Sequence, residues 1–187
     1  MNKFERETSR VVRFPAENIN TDQIIPARFL KRIERGGWGE FLFADLKPGE
    51  IFGLPDAATR HIMICGANFG SGSSREHAVW AVRDFGFRVL IATSFADIFK
   101  ENCLKNGVLT VTLADGPYQQ LLQAAEQSPD GEMTVDLKEQ RITFPGAPDT
   151  RFEMNSFNRT CLLDGLDEMG YILRNDSRIT AYEQAHP

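Results

Sequence analysis

The chain has 187 residues, 42% of them hydrophobic and 25% charged, with a formal net charge of −5. That length suits one compact domain of roughly 100 to 200 residues, and the acidic balance, without any run of lysine and arginine, offers no attraction for nucleic acid or an anionic membrane surface. Nothing approaches the ~18 uninterrupted apolar residues of a membrane span, and the polar start MNKFERETSR carries no secretory h-region, so a soluble, cytoplasmic chain is expected.

In chain order, a first strand is predicted over Arg10 to Phe14 from its β-branched and aromatic content. Asn18 to Pro26, NINTDQIIP, follows. There Thr21 and Asp22 look like a turn or helix-capping pair, and Pro26 suits the first turn of a short helix. The stretch Pro15 to Thr59 is rich in Gly, Pro and charge, including ARFLKRIERGGWGE. Irregular segments of that length tend to be functional loops, and the Phe, Leu and Trp content argues against simple disorder. We expect a flexible loop over about 27–59, with Gly36, Gly37 and Gly39 around Trp38.

A second strand is predicted over His61 to Cys65, then a glycine-rich turn, then a helix over Ser74 to Phe85 with Ala78, Ala81, Val82 and Phe85 on one face and Gly86 at its end. A strand over Phe87 to Thr93 precedes a helix over Ser94 to Asn106, capped by Ser94 with Asp97 and closed by Gly107. Strands over Val108 to Thr112, Glu132 to Asp136 and Arg141 to Phe144 follow, the last two forming a hairpin across Lys138 to Gln140 near an exposed edge. Further helices are predicted at Pro117 to Gln127, Phe157 to Leu163 and Ile179 to Gln184. The alternation gives a single α/β domain.

The chemistry concentrates in GSGSSREH, Gly70 to His77. A strand, glycine turn and helix in succession aim unsatisfied backbone N–H groups and the positive end of the helix dipole at one point, which attracts a carboxylate or phosphate. Arg75 adds a planar fork that can grip a carboxylate through two hydrogen bonds, and Ser71, Ser73 and Ser74 add hydroxyls. A plainer explanation covers part of this: Ser73 with Glu76 reads as a capping box, and His77 reads as a structural histidine within the helix.

Several familiar loops are excluded. No G-K-[ST] occurs, as a P-loop requires. Arg75 follows Gly70-x-Gly72 where a dinucleotide fingerprint needs glycine, and G-x-S-x-G is absent. The cysteines Cys65, Cys103 and Cys161 are widely spread, with no C-x-x-C pair and no neighbouring histidine. They form neither a zinc set nor a disulfide framework, fit a reducing compartment, and leave this chain without a metal site of its own.

Four segments, NINTDQIIPARFLK, GANFGSGSSREHA, FRVLIATSFADIFKENCLKNGVLTV and LLDGLDEMGYILRNDSRITAYE, together resemble the small subunits of 3-isopropylmalate dehydratases, a branch of the aconitase superfamily, along nearly the whole chain. The resemblance implies one swivelling β/β/α domain over 1–187, like the mobile last domain of aconitase. It implies no cofactor on this chain, and a [4Fe-4S] cluster with an open iron, acting as Lewis acid, on a separate large subunit. The heterodimer or larger assembly would isomerise 2-isopropylmalate to 3-isopropylmalate through isopropylmaleate.

Carried over by motif position, Ser73 would remove and return a proton on the carbon beside a carboxylate, its alkoxide stabilised by the helix N-terminus and Arg75. Ser74 and Arg75 would bind the dicarboxylate substrate. Asp22 would face the site and orient a group at the subunit interface, while Phe29, Leu30 and Lys31 fall in the segment credited with substrate choice. Since one or two methylenes discriminate by only ~1 to 3 kcal/mol, citraconate, dimethylmalate and homoaconitate remain alternative substrates. A non-catalytic carboxylate-binding module and a self-sufficient enzyme using Ser73 with His77 are the rival readings.

Overall fold

The computed structural model describes residues 2–31, 36–47, 49–51 and 59–186. Its core is a seven-stranded mixed sheet, built from β1 (Arg6–Phe14), β2 (Ile62–Cys65), β3 (Val89–Ala92), β4 (Leu109–Thr112), β5 (Glu132–Asp136), β6 (Arg141–Thr143) and β7 (Thr150–Arg151) in the order β4-β3-β2-β1-β5-β6-β7. β1 to β4 run parallel, while β1–β5, β5–β6 and β6–β7 are antiparallel.

β1 starts four residues earlier than its composition predicts. The polar stretch Arg6 to Arg10 pairs with Asp136 to Glu132, and cross-strand partners hold it there: Arg6 meets Asp136 at 2.7 Å and the Thr8 and Thr134 hydroxyls share a hydrogen bond of 2.8 Å. Such pairs outweigh intrinsic propensity at a half-exposed strand. The two-residue β7 at the sheet edge was not foreseen.

All residues of β2 and β3 are buried, because helices cover both faces of the parallel half. On one face Phe14, Met63, Cys65, Leu90 and Ala92 meet the buried stripes of α2 (Glu76–Phe85) and α3 (Asp97–Lys105). On the other, Ile62, Ile64, Val89, Ile91 and Val111 meet α4 (Asp115–Gln127) and Leu162 of α5 (Ser156–Asp164). The chain closes with α6 (Glu168–Arg174), absent from the predicted elements, and α7 (Asp176–Ala185). No residue of α6 is buried, and its apolar residues at helical spacing, Met169, Ile172 and Leu173, face solvent. Its start is marked by Asp167, whose carboxylate accepts from the Gly170 amide at 2.7 Å.

Between β1 and β2 the described residues include a short helix α1 (Thr21–Ile24) and the 3₁₀ turns Ala27–Lys31 and Trp38–Phe41. Where the structure describes it, the loop expected over 27–59 is packed: Trp38, Leu42, Phe43 and Ile51 belong to the core that covers α2, and the Phe43 amide donates to the Ile24 carbonyl at 2.8 Å. Residues 32–35, 48 and 52–58 of that expectation lie outside the described residues.

Two predicted caps do not form. α2 begins at Glu76 with Arg75 as its N-cap and no side-chain cap, so the Ser73–Glu76 box does not form. Glu76 instead accepts from the Asn106 side-chain amide at 3.0 Å. α3 begins at Asp97, after Ala96, because the Ser94 hydroxyl is taken by the Asn68 amide at 2.8 Å. α1 is capped by Asn20 reciprocally with Gln23, which leaves Thr21 and Asp22 for other partners.

Candidate functional site

The loops that leave the carboxyl ends of β1, β2 and β3 converge at one edge of the sheet, where parallel α/β folds characteristically bind ligands. The glycine-rich loop after β2 lies in the middle and is bonded to both neighbours. Towards the loop after β1, the Gly70 amide donates to the Ile19 carbonyl at 2.8 Å and the Thr21 amide to the Ser71 carbonyl at 2.9 Å. Towards the loop after β3, the Ala96 amide donates to the Phe69 carbonyl at 3.0 Å. Single parallel bridges, Asn20 with Ser71 and Phe69 with Phe95, continue the sheet into the site.

This stitching sets the backbone of the reactive turn. The buried Thr21 hydroxyl donates to the Ser73 carbonyl at 3.0 Å, so the TD pair reaches across to fix Ser73. Gly70 has φ +81°, and a Cβ there would lie 2.1 Å from Cγ of Phe99. Only glycine fits that conformation against that ring.

Beyond Ser71 the backbone amides of the turn stop bonding to the protein. The amides of Gly72, Ser73, Ser74 and Arg75 donate to no acceptor among the described residues, and the Ser73 and Ser74 hydroxyls, both on exposed residues, are likewise unpaired. Four donors in sequence immediately before a ten-residue helix form an anion-attracting concavity. A cavity of about 230 Å³ opens over them, bounded by Thr21, Ser73, Arg75, Asp97, Ile98 and Phe99. A small dicarboxylic acid has a size that such a space admits.

The guanidinium of Arg75 is largely covered and bonds Asp22, which is half exposed. Ser73, Ser74, Arg75 and Asp22 therefore come together. Phe29, Leu30 and Lys31 do not line the cavity: Phe29 stacks on Phe41 with ring centroids 4.3 Å apart and, with Leu30, packs against the core, while Lys31 is exposed. His77 packs against Trp38 and Trp80 at 4.9 and 4.6 Å, and no hydrogen bond joins it to Ser73. A serine–histidine couple is thus absent among the described residues, and His77 holds the aromatic cluster together. Sequence reasoning missed Thr21 as the residue that fixes Ser73; the TD pair looked like a cap because its true partner is 52 positions away.

The cysteines are free and buried, on β2, α3 and α5. Burial pushes the Cys65 and Cys103 thiols well up from their ordinary value, and burial followed by the carboxylates of Glu168, Asp164 and Asp167 raises Cys161. Thiols so disposed resist becoming thiolate ligands. Among the described residues no three His, Cys, Asp or Glu side chains gather as a metal set, and no helix is long and apolar enough to cross a membrane.

Residues 1–116 match the family profile of the aconitase C-terminal domain. Among curated proteins the chain is 46% identical to a 3-isopropylmalate dehydratase small subunit of Roseiflexus castenholzii, over 96% of this chain and 92% of that one. It is 48% identical to the protein of the same description from Rubrobacter xylanophilus, over 91% and 88%, and 45% identical to that from Acidobacterium capsulatum, over 100% and 91%. Among solved structures, a crystal structure of 3-isopropylmalate dehydratase from Methanocaldococcus jannaschii superposes with a TM-score of 0.68 at 24% identity, covering 95% of this chain and 99% of that one. That likeness establishes the swivel-type α/β fold.

Proposed function

We infer the function from one premise: the chain belongs to the aconitase C-terminal domain family and, within it, to the small subunits of 3-isopropylmalate dehydratase. It is a hydro-lyase subunit that works with a large subunit to isomerise 2-isopropylmalate to 3-isopropylmalate in leucine biosynthesis. Its own contribution is to hold the substrate's carboxylate and to move one proton.

The observation that carries this assignment of roles is the row of unspent amides from Gly72 to Arg75 beside the Ser73 hydroxyl. We assign a substrate carboxylate to those amides, the Ser74 hydroxyl and the Arg75 fork, a set of donors of which only Arg75 already has a protein acceptor among the described residues, Asp22. Ser73 Oγ takes the proton from the carbon next to that carboxylate and returns it on the rehydration half-reaction. A serine hydroxyl is a very weak acid, so its oxyanion needs the same preorganised N–H groups and the positive helix end. Asp22 holds Arg75 in place, and Phe29, Leu30 and Lys31, which do not line the cavity, tune substrate choice indirectly.

The iron-sulfur cluster that the resemblance implies finds no fitting ligands here, since the cysteines are buried on separate elements. We assign the cluster to the large subunit. The chain acts as one swivelling unit that closes on that partner, in the cytoplasm, where free thiols persist.

Reconstitution tests the reading. The chain mixed with a large subunit assembled anaerobically with iron and sulfide should turn over 2-isopropylmalate, and neither component should do so alone. Ser73→Ala should keep subunit association while turnover falls by ~10²- to 10⁴-fold, the usual weight of a positioned acid–base group. Turnover by the isolated chain in a chelator would overturn the assignment to a shared site.

A further inference from the structure

The larger of the described cavities lies apart from this site. It is a groove of about 340 Å³ between α3, α5 and the turn into α6, walled by Leu104, Lys105, Phe157, Cys161 and Glu168, with Glu101 at its rim. Tyr171 of α6 packs edge-on against Phe157 at 4.7 Å, which fixes α6 beside the groove. The outer side of that helix carries Met169, Ile172 and Leu173, each more than half exposed. Three large apolar side chains within five residues, bare to solvent, mark a contact surface more than a solvated helix face.

Two observations say what covers it. First, α3 joins the groove to the site: Asp97, Ile98 and Phe99 bound the substrate cavity, and Ile98, Glu101 and Lys105, three and four residues apart, follow one helix face from that cavity into the groove. Ile98 is itself 52% exposed at the cavity rim. A partner that completes the site is thereby led along α3 into the groove. Second, the surroundings are acidic. Lys105 is neutralised by Glu168 at 3.2 Å and Arg174 by Asp164, which leaves the carboxylates of Glu101 and Asp167 without a cationic partner among the described residues.

We propose that the groove between α3, α5 and α6, with the apolar side of α6, docks the large subunit through an apolar element flanked by lysine or arginine. This rests on the function proposed above, which requires a large subunit but assigns it no surface. The area is apolar at its centre and charged at its rim, as interfaces are.

The test is titration of the full chain with the anaerobically reconstituted large subunit, followed by calorimetry and sedimentation. The double variant Ile172→Asp/Leu173→Asp should raise Kd at least tenfold, yet at saturating large subunit kcat should stay within twofold of wild type, because neither residue reaches the cavity. Glu101→Lys should also weaken binding, and should flatten its dependence on salt. Circular dichroism and melting report whether the fold survives, which is expected since α6 buries nothing. An unchanged Kd in both variants overturns the proposal and leaves the assigned reaction standing. So does loss of self-association with the mixed complex intact, which would give the face to a second copy. If the wild-type chain neither binds nor activates the large subunit, the functional reading falls first and the docking surface with it.

Discussion

Arg75 donates through Nη1 to the Asp22 carboxylate across 53 positions of sequence, so one ion pair joins the loop after β1 to the loop after β2 at the mouth of the cavity. The pair is exposed on the Asp22 side, which limits its worth to stability to ~1 kcal/mol or less. Its consequence is orientation of the guanidinium.

Asp22→Asn should therefore leave the melting temperature nearly unchanged and raise KM for 2-isopropylmalate about tenfold in the reconstituted enzyme. Arg75→Lys should raise KM further, because an ammonium cannot offer two parallel donors to a carboxylate. Steady-state kinetics at saturating large subunit measure both; a wild-type KM in Asp22→Asn would show that Arg75 needs no holding.

Two glycines of the same loop should behave differently. A Cβ at Gly70 meets Phe99 at 2.1 Å as well as a φ of +81°, whereas at Gly72, with φ +85°, the nearest atom is 3.4 Å away. Gly72→Ala should cost only the ~1 kcal/mol of a left-handed non-glycine residue. Gly70→Ala should cost more, ~2 to 4 kcal/mol, and a Phe99→Ala background should shrink that penalty. Urea unfolding of the four variants gives the cycle, and equal costs at the two glycines would contradict the close approach.

How much of this was legible beforehand follows from where each residue finds its partners. The buried strands β2 to β4 and the helices between them read clearly, since continuous apolar runs and a 3.6-residue stripe are local signals. GSGSSREH stood out for the same reason. The Ser73–Glu76 and Ser94–Asp97 caps were legible and did not form, because Ser73 is held through its carbonyl by Thr21 and Ser94 by Asn68. Both competitors are remote in sequence. The first half of β1 was hidden by charge that only β5 explains; α6, seven residues long, was missed although Met169, Ile172 and Leu173 stand at helical spacing, because so short a run is a weak signal.

The turn between β5 and β6 makes an acid-stability prediction. Burial pushes the Asp136 carboxyl up, but the Glu139 amide, the Arg6 guanidinium and the Lys138 amide together outweigh it and hold the group below its ordinary value. A carboxyl with a depressed folded pKa stabilises above its unfolded value of ~3.9 and loses that contribution as pH falls through the folded value. Asp136→Asn should thus cost ~1 to 3 kcal/mol at neutral pH, and the gap from wild type should narrow in acid. Denaturation of both proteins between neutral pH and about pH 2 is the measurement; a pH-independent gap would refute it.

Tyr118 gives the alkaline counterpart. Its hydroxyl donates to the Cys65 carbonyl at 2.8 Å, and burial first, then Cys65 and Glu17, raises its pKa to about 12. A raised value means stability fully present below the unfolded pKa of ~10 and lost as pH climbs above it. Spectrophotometric titration should contain a phase near 12 that Tyr118→Phe removes. An unaltered titration curve in the variant would reject the assignment.

β1 takes its hydrogen bonds from a parallel neighbour on one side and an antiparallel neighbour on the other. The parallel half pairs with Val11 to Phe14 and the antiparallel half with Arg6 to Arg10, so the two halves share the strand end to end, and the passage from Arg10 to Val11 is a place where one half could hinge on the other. Amide exchange at Val11 to Phe14, which pair with β2, and at Arg6 to Arg10, which pair with β5, should accordingly time the two halves separately.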